Sequence, residues 1–274
     1  GADVIKGEKP KGGDDSRRMG APFIQDWSAA FLAVNRNKRS LVLDLRSDEG
    51  KAVFTRLVEG ADVVVENFRP GAMDRLGLGY GELSALKPSL IYCAVSGFGQ
   101  TGPYRGRGGF DLVAQGMSGL MSVTGTPGGP PVKVGVPITD LTSGMYAAYG
   151  VLNAYIHRLR TGEGQMVDTS LMEAGLAYTF WESSVYFSTG QVPGPLGSAH
   201  RLSAPYQALQ TRDGHINLGA ATQGTWEGLC RAIGMEELIS DPRFLTNGDR
   251  KARDGELASL LEETFRQEPT QHWL

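Results

Sequence analysis

The sequence has few of the residues that build extracellular or metal-dependent proteins. It contains 2 cysteines in 274 residues, Cys93 and Cys230. Two distant cysteines make no disulfide framework, which points to a reducing compartment: the cytoplasm, or the mitochondrial matrix in a eukaryote. There are 4 histidines, and no His/Cys group has metal-ligand spacing, so no metal is expected. No apolar run approaches the length needed to span a bilayer. The formal net charge is −3, which offers no bulk attraction to nucleic acid or to an anionic membrane. No internal repeat and no low-complexity tract interrupts the chain.

What the chain has in excess is glycine, 38 residues, much of it clustered. Clustered glycine argues for backbone lying close to a ligand or to another segment. Apolar residues at 41% and charged residues at 21% fit a globular fold. Residues 41–45, 63–65 and 90–95 read as short strands. Residues 48–59 carry a helical apolar stripe (Val53, Phe54, Leu57, Val58) closed by Gly60. A short helical turn at 83–86 ends at Pro88. A helix is expected over 144–158, a strand near 165–168, and an aromatic-rich helix over 173–187. Continuous apolar strands alternating with helices predict an α/β domain with a mostly parallel sheet.

The composition changes at Thr189-Gly190-Gln191-Val192-Pro193-Gly194-Pro195, a linker by its glycine and proline. Beyond it, two alternating runs flank Asp213-Gly214, a hairpin signal. Helical stretches follow at 225–233 and 257–265. The expected organisation is a large domain over 1–187, a linker over 188–202 and a small α+β domain over 203–274. Both ends read as cut, since the chain starts at the edge of a strand and stops within a helical pattern.

Asp140 stands at the end of the short apolar run Val136-Pro137-Ile138 and before a helical segment. A carboxylate there can cap the helix. It can also be a nucleophile held ionised by the positive helix end. Gly97-Phe98-Gly99-Gln100-Thr101-Gly102 matches G-x-G-x-x-G after a strand. The dinucleotide fingerprint also needs a helix beginning inside the motif, and Pro103-Tyr104-Arg105-Gly106-Arg107-Gly108-Gly109 cannot supply it. Basic and amide side chains in Asn35-Arg36-Asn37-Lys38-Arg39 and Asn67-Phe68-Arg69-Pro70-Gly71 suit phosphates, or are simply solvated turns. His157 and His215 read as ordinary surface residues. Asp168 reads as a helix cap before Glu173.

The order of segments resembles the family III CoA-transferases. The stretches that carry the likeness are Gly1-Ala2-Asp3-Val4-Ile5-Lys6, Asn35-Arg36-Asn37-Lys38-Arg39-Ser40, Val65-Glu66-Asn67-Phe68-Arg69-Pro70-Gly71, Gly97 to Pro103, Gly109-Phe110-Asp111 and Asp140-Leu141-Thr142-Ser143-Gly144. Around Gly197-Ser198-Ala199-His200 and Pro205-Tyr206-Gln207-Ala208 the chain is most similar to the succinyl-CoA:glutarate branch. The resemblance implies a large doubly wound, Rossmann-like domain plus a smaller α+β domain, long linkers and an interlocked homodimer. It places the catalytic aspartate on Asp140. It places CoA along Lys9, Leu43, Asp44, Leu45, Arg46, Asn67, Phe68, Arg69, Arg75, Gly108, Gly109, Phe110 and Asp111. An N-terminal strand and loop of the family are absent from this sequence.

The implied substrates are an acyl-CoA, succinyl-CoA, and a free carboxylic acid, a short dicarboxylate such as glutarate. Residues 218–224 depart from the glycine run of the formyl-CoA enzymes, which argues against formyl or oxalyl chemistry. A second carboxylate on the acceptor needs a cationic anchor, for which Arg105, Arg107, His200 and Arg201 are the candidates. The glycines of 97–102 and 219–224 could offer backbone N–H groups to a tetrahedral centre. Two rivals remain open. An α-methylacyl-CoA racemase needs a base on each side of the α-carbon, and Phe110 stands where that group has its histidine. A non-catalytic CoA-binding protein would not need Asp140.

Overall fold

A computed structural model describes every residue from Gly1 to Leu274. The chain forms two compact units, one of residues 1–118 with 136–178 and the other of 119–135 with 179–274. No helix is long and apolar enough to cross a membrane.

The first unit is α/β with parallel strands. Strand β1 (Val4–Glu8) leads through a minimal hairpin, β2 (Phe23–Ile24) with β3 (Trp27–Ser28), and helix α1 (Ala29–Val34) into β4 (Lys38–Val42). β1 and β4 pair in parallel. Strands β5 (Val63–Glu66), β6 (Ile91–Ser96) and β7 (Met166–Ser170) form a second parallel sheet in the order β5-β6-β7. Glu66, Ala94 and Asp168 lie in one row across it. β6 is central, and Ile91 to Ala94 are buried, as its unbroken apolar sequence requires.

Helix α2 (Asp48–Gly60) begins on Ser47, whose hydroxyl accepts the N–H of Gly50. Gly50 has a reason to be glycine: a β-carbon there would stand 1.8 Å from the Asp44 carbonyl oxygen. Short helices α3 (Ala72–Arg75) and α4 (Tyr80–Leu86) follow. Val58, Val64, Met73, Leu83, Leu90 and Tyr92 make the core they share with the sheet. Helix α5 (Asp111–Met117), the 24-residue α7 (Ile138–Thr161) and α8 (Leu171–Tyr178) complete the unit. Between α5 and α7 the chain enters the second unit and forms α6 (Leu120–Val123).

Several elements differ from the sequence expectation. The strand expected at 41–45 is formed earlier, because β1 takes Lys38 as its first partner in register. The helix expected from 144 starts at Ile138 and takes Asp140 into its first turn. The single helix expected at 173–187 is broken at Thr179 into α8 and α9 (Phe180–Thr189). Asp168 is not a cap. It sits in β7, and its carboxylate accepts the N–H of Gln100 at 2.9 Å. Ser170 and Glu173 cap α8 reciprocally, each side chain accepting the other's N–H, at 3.1 and 3.0 Å.

In the second unit β8 (Tyr206–Gln210) and β9 (His215–Gly219) form the expected antiparallel hairpin around Asp213-Gly214. Helices α10 (Gln223–Ala232), α11 (Asn247–Ala252), α12 (Asp254–Phe265) and α13 (Thr270–Trp273) follow. Leu209, Trp226, Cys230, Phe244, Leu257 and Phe265 form its core. Arg250 is wholly buried there without a carboxylate. Its guanidinium donates to the carbonyls of Ala204, Phe244 and Leu245 and to the Gln223 side chain, and it lies 5.0 Å from the Trp226 ring.

Candidate active site

The start of α7 decides what Asp140 is. Pro137 stands at the cap position and has no side-chain acceptor to offer. The acceptor comes from α5. Asp111 Oδ1 takes the backbone N–H of Thr139 at 3.0 Å and its hydroxyl at 2.8 Å. Asp111 Oδ2 takes the Gln115 side-chain amide at 2.7 Å. The capping role open to Asp140 in the sequence therefore falls to Asp111, 28 residues back along the chain.

Asp140 is left in the first turn of α7 with a carboxylate that makes no hydrogen bond and no ion pair, while its own carbonyl accepts the Ser143 hydroxyl at 2.9 Å. The residue reaches solvent. The protein around its carboxyl still pushes the pKa above the ordinary aspartate value, and the nearby Asp111 charge adds to this. The first turn is firmly seated. Thr139 is fully buried, and Thr142 shares a hydrogen bond with the Tyr178 hydroxyl. α8 comes close at Gly175, where a β-carbon would stand 2.5 Å from Ser118 Oγ and 3.4 Å from Thr139.

The loop after β6 packs against the approach to α5. A β-carbon on Gly97 would lie 2.6 Å from the Gly109 Cα. So Gly97 and Gly109 are small because two backbones meet. Two amides of this loop are engaged by side chains. Gly99 N–H donates to Ser96 Oγ and Gln100 N–H to Asp168, each at 2.9 Å, and the Gly97 carbonyl takes the Met172 N–H. Gly99 therefore has no free N–H for the oxyanion role that the sequence offered to the glycines of this loop.

The strand end at β5 joins the same group. Asn67 donates to the Val95 carbonyl at 2.6 Å. The N–H of Phe68 donates to the buried Glu66 carboxylate, whose pKa is raised by burial foremost. An Arg69 guanidinium nitrogen lies 3.6 Å from where a Gly108 β-carbon would be. Residues 67–69, 97 and 108–111 and the start of α7 are thus linked by direct contact. Phe68 and Phe110 are exposed beside them, Phe110 by 76%. Arg75 lies against Gly71. Tyr104 packs on Phe98, and Arg107 covers Tyr104 at 4.7 Å. Arg105 is exposed, and neither arginine forms an ion pair.

Other expected site residues have local roles. Lys9 pairs with Asp15 at 2.6 Å. Leu43 N–H extends the β1–β4 ladder to the Glu8 carbonyl, and Asp44 caps the N–H of Arg46; Leu45 packs on the core of the first unit. A 540 Å³ cavity in this unit is lined by Lys6, Glu8, Arg17, Phe31 and Lys38 among others, and by none of the expected site residues. His200 and Arg201 belong to the second unit and line a 180 Å³ cavity with Trp181 and Glu182. His200 lies between the Trp181 and Tyr206 rings, and its Nδ1 accepts the Leu202 N–H. Arg201 is paired with Glu182 at 3.1 Å and bonded to the Gly194 carbonyl, so its charge is already matched.

Sequence reasoning did not pick out Thr139, Ser96 or Gly175. Thr139 carried a signal, a hydroxyl beside the candidate nucleophile. Ser96 and Gly175 have meaning only once β6 and α8 are folded.

An unpaired carboxylate that reaches solvent thus stands at a helix start whose cap, Asp111, follows the exposed Phe110 and the Gly108 turn next to Arg69. The sequence pattern of CoA-transferase family III matches residues 1–274. The chain belongs to CoA-transferase family III. It is 43% identical over 267 residues to succinate–glutarate CoA-transferase of Agrobacterium fabrum, covering 95% of this chain and 67% of that protein. It is 41% identical over 275 residues to acetyl-CoA:oxalate CoA-transferase of Acetobacter aceti, covering 100% of this chain and 70% of the other. The succinyl-CoA:glutarate CoA-transferase of Homo sapiens is 38% identical over 274 residues, 63% of its length. A crystal structure of a CAIB/BAIF family protein from Brucella suis superposes with a TM-score of 0.85 at 42% identity, covering 100% of this chain and 73% of that one. The chain therefore spans roughly two thirds of the length of these family III relatives.

Proposed function

We propose that this family III chain moves CoA from an acyl-CoA, succinyl-CoA, to a short dicarboxylic acid such as glutarate, with Asp140 as nucleophile. The observation that carries the reading is the Asp140 carboxylate itself, unpaired at the start of α7 while Asp111 does the capping. A structural carboxylate at a helix start would hold the free N–H groups.

Asp140 attacks the thioester carbonyl and forms a mixed anhydride as the CoA thiolate leaves. The thiolate then attacks the aspartyl carbonyl. This releases the donor acid and leaves an aspartyl–CoA thioester. The acceptor carboxylate attacks that thioester and forms a second anhydride, from which the thiolate takes the acceptor acyl group and frees Asp140. A raised pKa makes the carboxylate a stronger nucleophile once ionised. Arg69, Asn67, Phe68 and the 108–111 segment are the surface offered to CoA, with Lys9, Leu43 to Arg46 and Arg75 continuing it. The relatives named for glutarate, oxalate, mesaconate and citramalate all take acids with two carboxylates, which supports a dicarboxylate acceptor.

With this reading goes the family architecture, a doubly wound Rossmann-like domain in an interlocked homodimer. Met145, Tyr149, Leu152, Ile156 and Leu159 form an exposed apolar stripe along α7, which supports a covered surface in the assembly. Light scattering that read a monomer would remove the dimer. The reaction is tested by trapping. Protein incubated with succinyl-CoA and then hydroxylamine should carry a hydroxamate at Asp140, seen by peptide mass spectrometry. An unmodified Asp140 after turnover-length incubation would overturn the mechanism.

A further inference from the structure

We infer that Asp111 is a positioning residue for the transfer reaction: by holding the N–H and hydroxyl of Thr139 it fixes the first turn of α7 and aims the Asp140 carboxylate at the thioester. The inference rests on Asp140 being the nucleophile.

Asp111 gives two acceptor contacts to one residue, Thr139, which is fully buried and adjacent to Asp140. Its other oxygen is held by Gln115, one turn along α5, so the carboxylate is itself fixed. The entry to α5 is fixed in turn by the backbone contact of Gly109 with Gly97. A continuous set of contacts thus runs from the end of β6 through α5 to the start of α7. Pro137 supplies neither a side-chain acceptor nor an N–H, so without Asp111 the buried Thr139 N–H and hydroxyl lose their acceptor. The turn that carries Asp140 would then be free to shift. A misplacement of about 1 Å at a reacting group can cost on the order of a hundredfold in rate.

Asp111 has a second effect on the same group. Its charge raises the Asp140 pKa, behind burial, which keeps the carboxylate basic. The two effects separate in experiment. Asp111→Asn keeps an oxygen for Thr139 and removes the charge. Asp111→Ala removes both. Thr139→Val removes the hydroxyl bond without touching Asp111, and Thr139→Ser restores it.

The test measures kcat, KM for succinyl-CoA, the pH profile of kcat/KM, and the rate of hydroxamate formation at Asp140. Asp111→Asn should move the acid limb to lower pH, because the ionised nucleophile loses a negative neighbour. Asp111→Ala and Thr139→Val should lower kcat and the trapping rate roughly ten- to a hundredfold, and Thr139→Ser should recover most of the loss. If the wild type is labelled but Asp111→Asn leaves the acid limb in place and Thr139→Val traps at the wild-type rate, the inference is wrong while the Asp140 reading stands. Lower melting temperatures with unchanged pH profiles and trapping rates would equally reduce Asp111 to a structural residue. An unlabelled wild type would remove both. Should Asp111→Ala not fold, Asp111→Asn and Thr139→Val decide the matter.

Discussion

Gly97 and Gly109 lie back to back: a β-carbon on Gly109 would stand 2.4 Å from the Cα of Gly97, and neither backbone has a flexible atom that could move aside. Two loops that carry site residues are joined by the absence of two side chains.

Gly109→Ala should therefore force the end of β6 and the entry to α5 apart. Overpacking of this kind costs typically about 1–3 kcal/mol. The melting temperature should fall, and transfer should slow beyond the stability loss because Asp111 lies two residues on. A variant with unchanged melting temperature would show that the two segments part freely.

Asp140→Ala should abolish transfer and keep the fold and CoA binding. Its effect on stability discriminates between cap and nucleophile. A cap replaced by Ala loses roughly 0.5–2 kcal/mol. Asp140 has a raised pKa, so its ionised form is disfavoured by folding, and stability is lost as pH rises from its unfolded value through its folded one. At neutral pH the Ala variant should be as stable as the wild type or more so. Denaturant unfolding at pH 7 measures this, and a clear destabilisation would return Asp140 to a capping role.

The acid response of the first unit should be set largely at Glu8, with Asp14 beside it. Arg17 foremost holds its carboxyl down, to about 2 from 4.5, against the opposing effect of burial. The Arg17 guanidinium grips it at 2.6 and 2.8 Å, and Ser40 and the Asp14 N–H complete its bonds. A depressed carboxylate gives stability that is full above its unfolded pKa and disappears as pH falls through the folded one, here from about 4.5 toward about 2. That loss is on the order of 3 kcal/mol. Glu8→Gln should be less stable at pH 7 and should lose part of the slope in that window, the rest coming from Asp14, held at about 2 against burial by the Lys6 bond. A pH titration of unfolding with the same slope in both proteins would place the acid sensitivity elsewhere.

Glutarate should outperform butyrate as acceptor. A charge-assisted bond to the second carboxylate is typically worth about 1.5–3 kcal/mol, roughly ten- to a hundredfold in acceptor use. Of the four candidate anchors, Arg201 is already matched by Glu182, whereas Arg105 and Arg107 have no ion pair. Single Ala variants at Arg105, Arg107, His200 and Arg201 should locate the anchor, with the larger losses at the two unpaired arginines. Equal rates with butyrate and glutarate in the wild type would mean there is no anchor.

The strands at 63–66 and 91–96 and the hairpin around Asp213-Gly214 were legible because their signals are local: apolar continuity, and a dipeptide that suits the turn. The start of α7 was not. Pro137 reads as the end of an extended run, and the acceptor that lets the helix begin at Ile138 lies on another element. Asp168 was misread for the same reason, since its partner, the Gln100 N–H, is 68 positions away. Nothing in the composition of 119–135 marks that stretch as joining the unit of 179–274. Local chemistry can be read along the chain, whereas satisfaction of a buried group by a distant one needs the fold.

Arg250 illustrates how such distant satisfaction shapes what a sequence can tolerate. Three of its acceptors are main-chain carbonyls, of Ala204, Phe244 and Leu245, and only Gln223 contributes a side chain. A carbonyl survives every substitution of its own residue. The positions around this cation can therefore drift with little loss of its bonds, while Arg250 itself has no substitute: lysine has no planar fork to reach several carbonyls at once. Mutational scanning of the second unit should find Arg250 intolerant even of lysine, while losses at its neighbours Phe244 and Trp226 follow their own core packing and not the bonds to the cation.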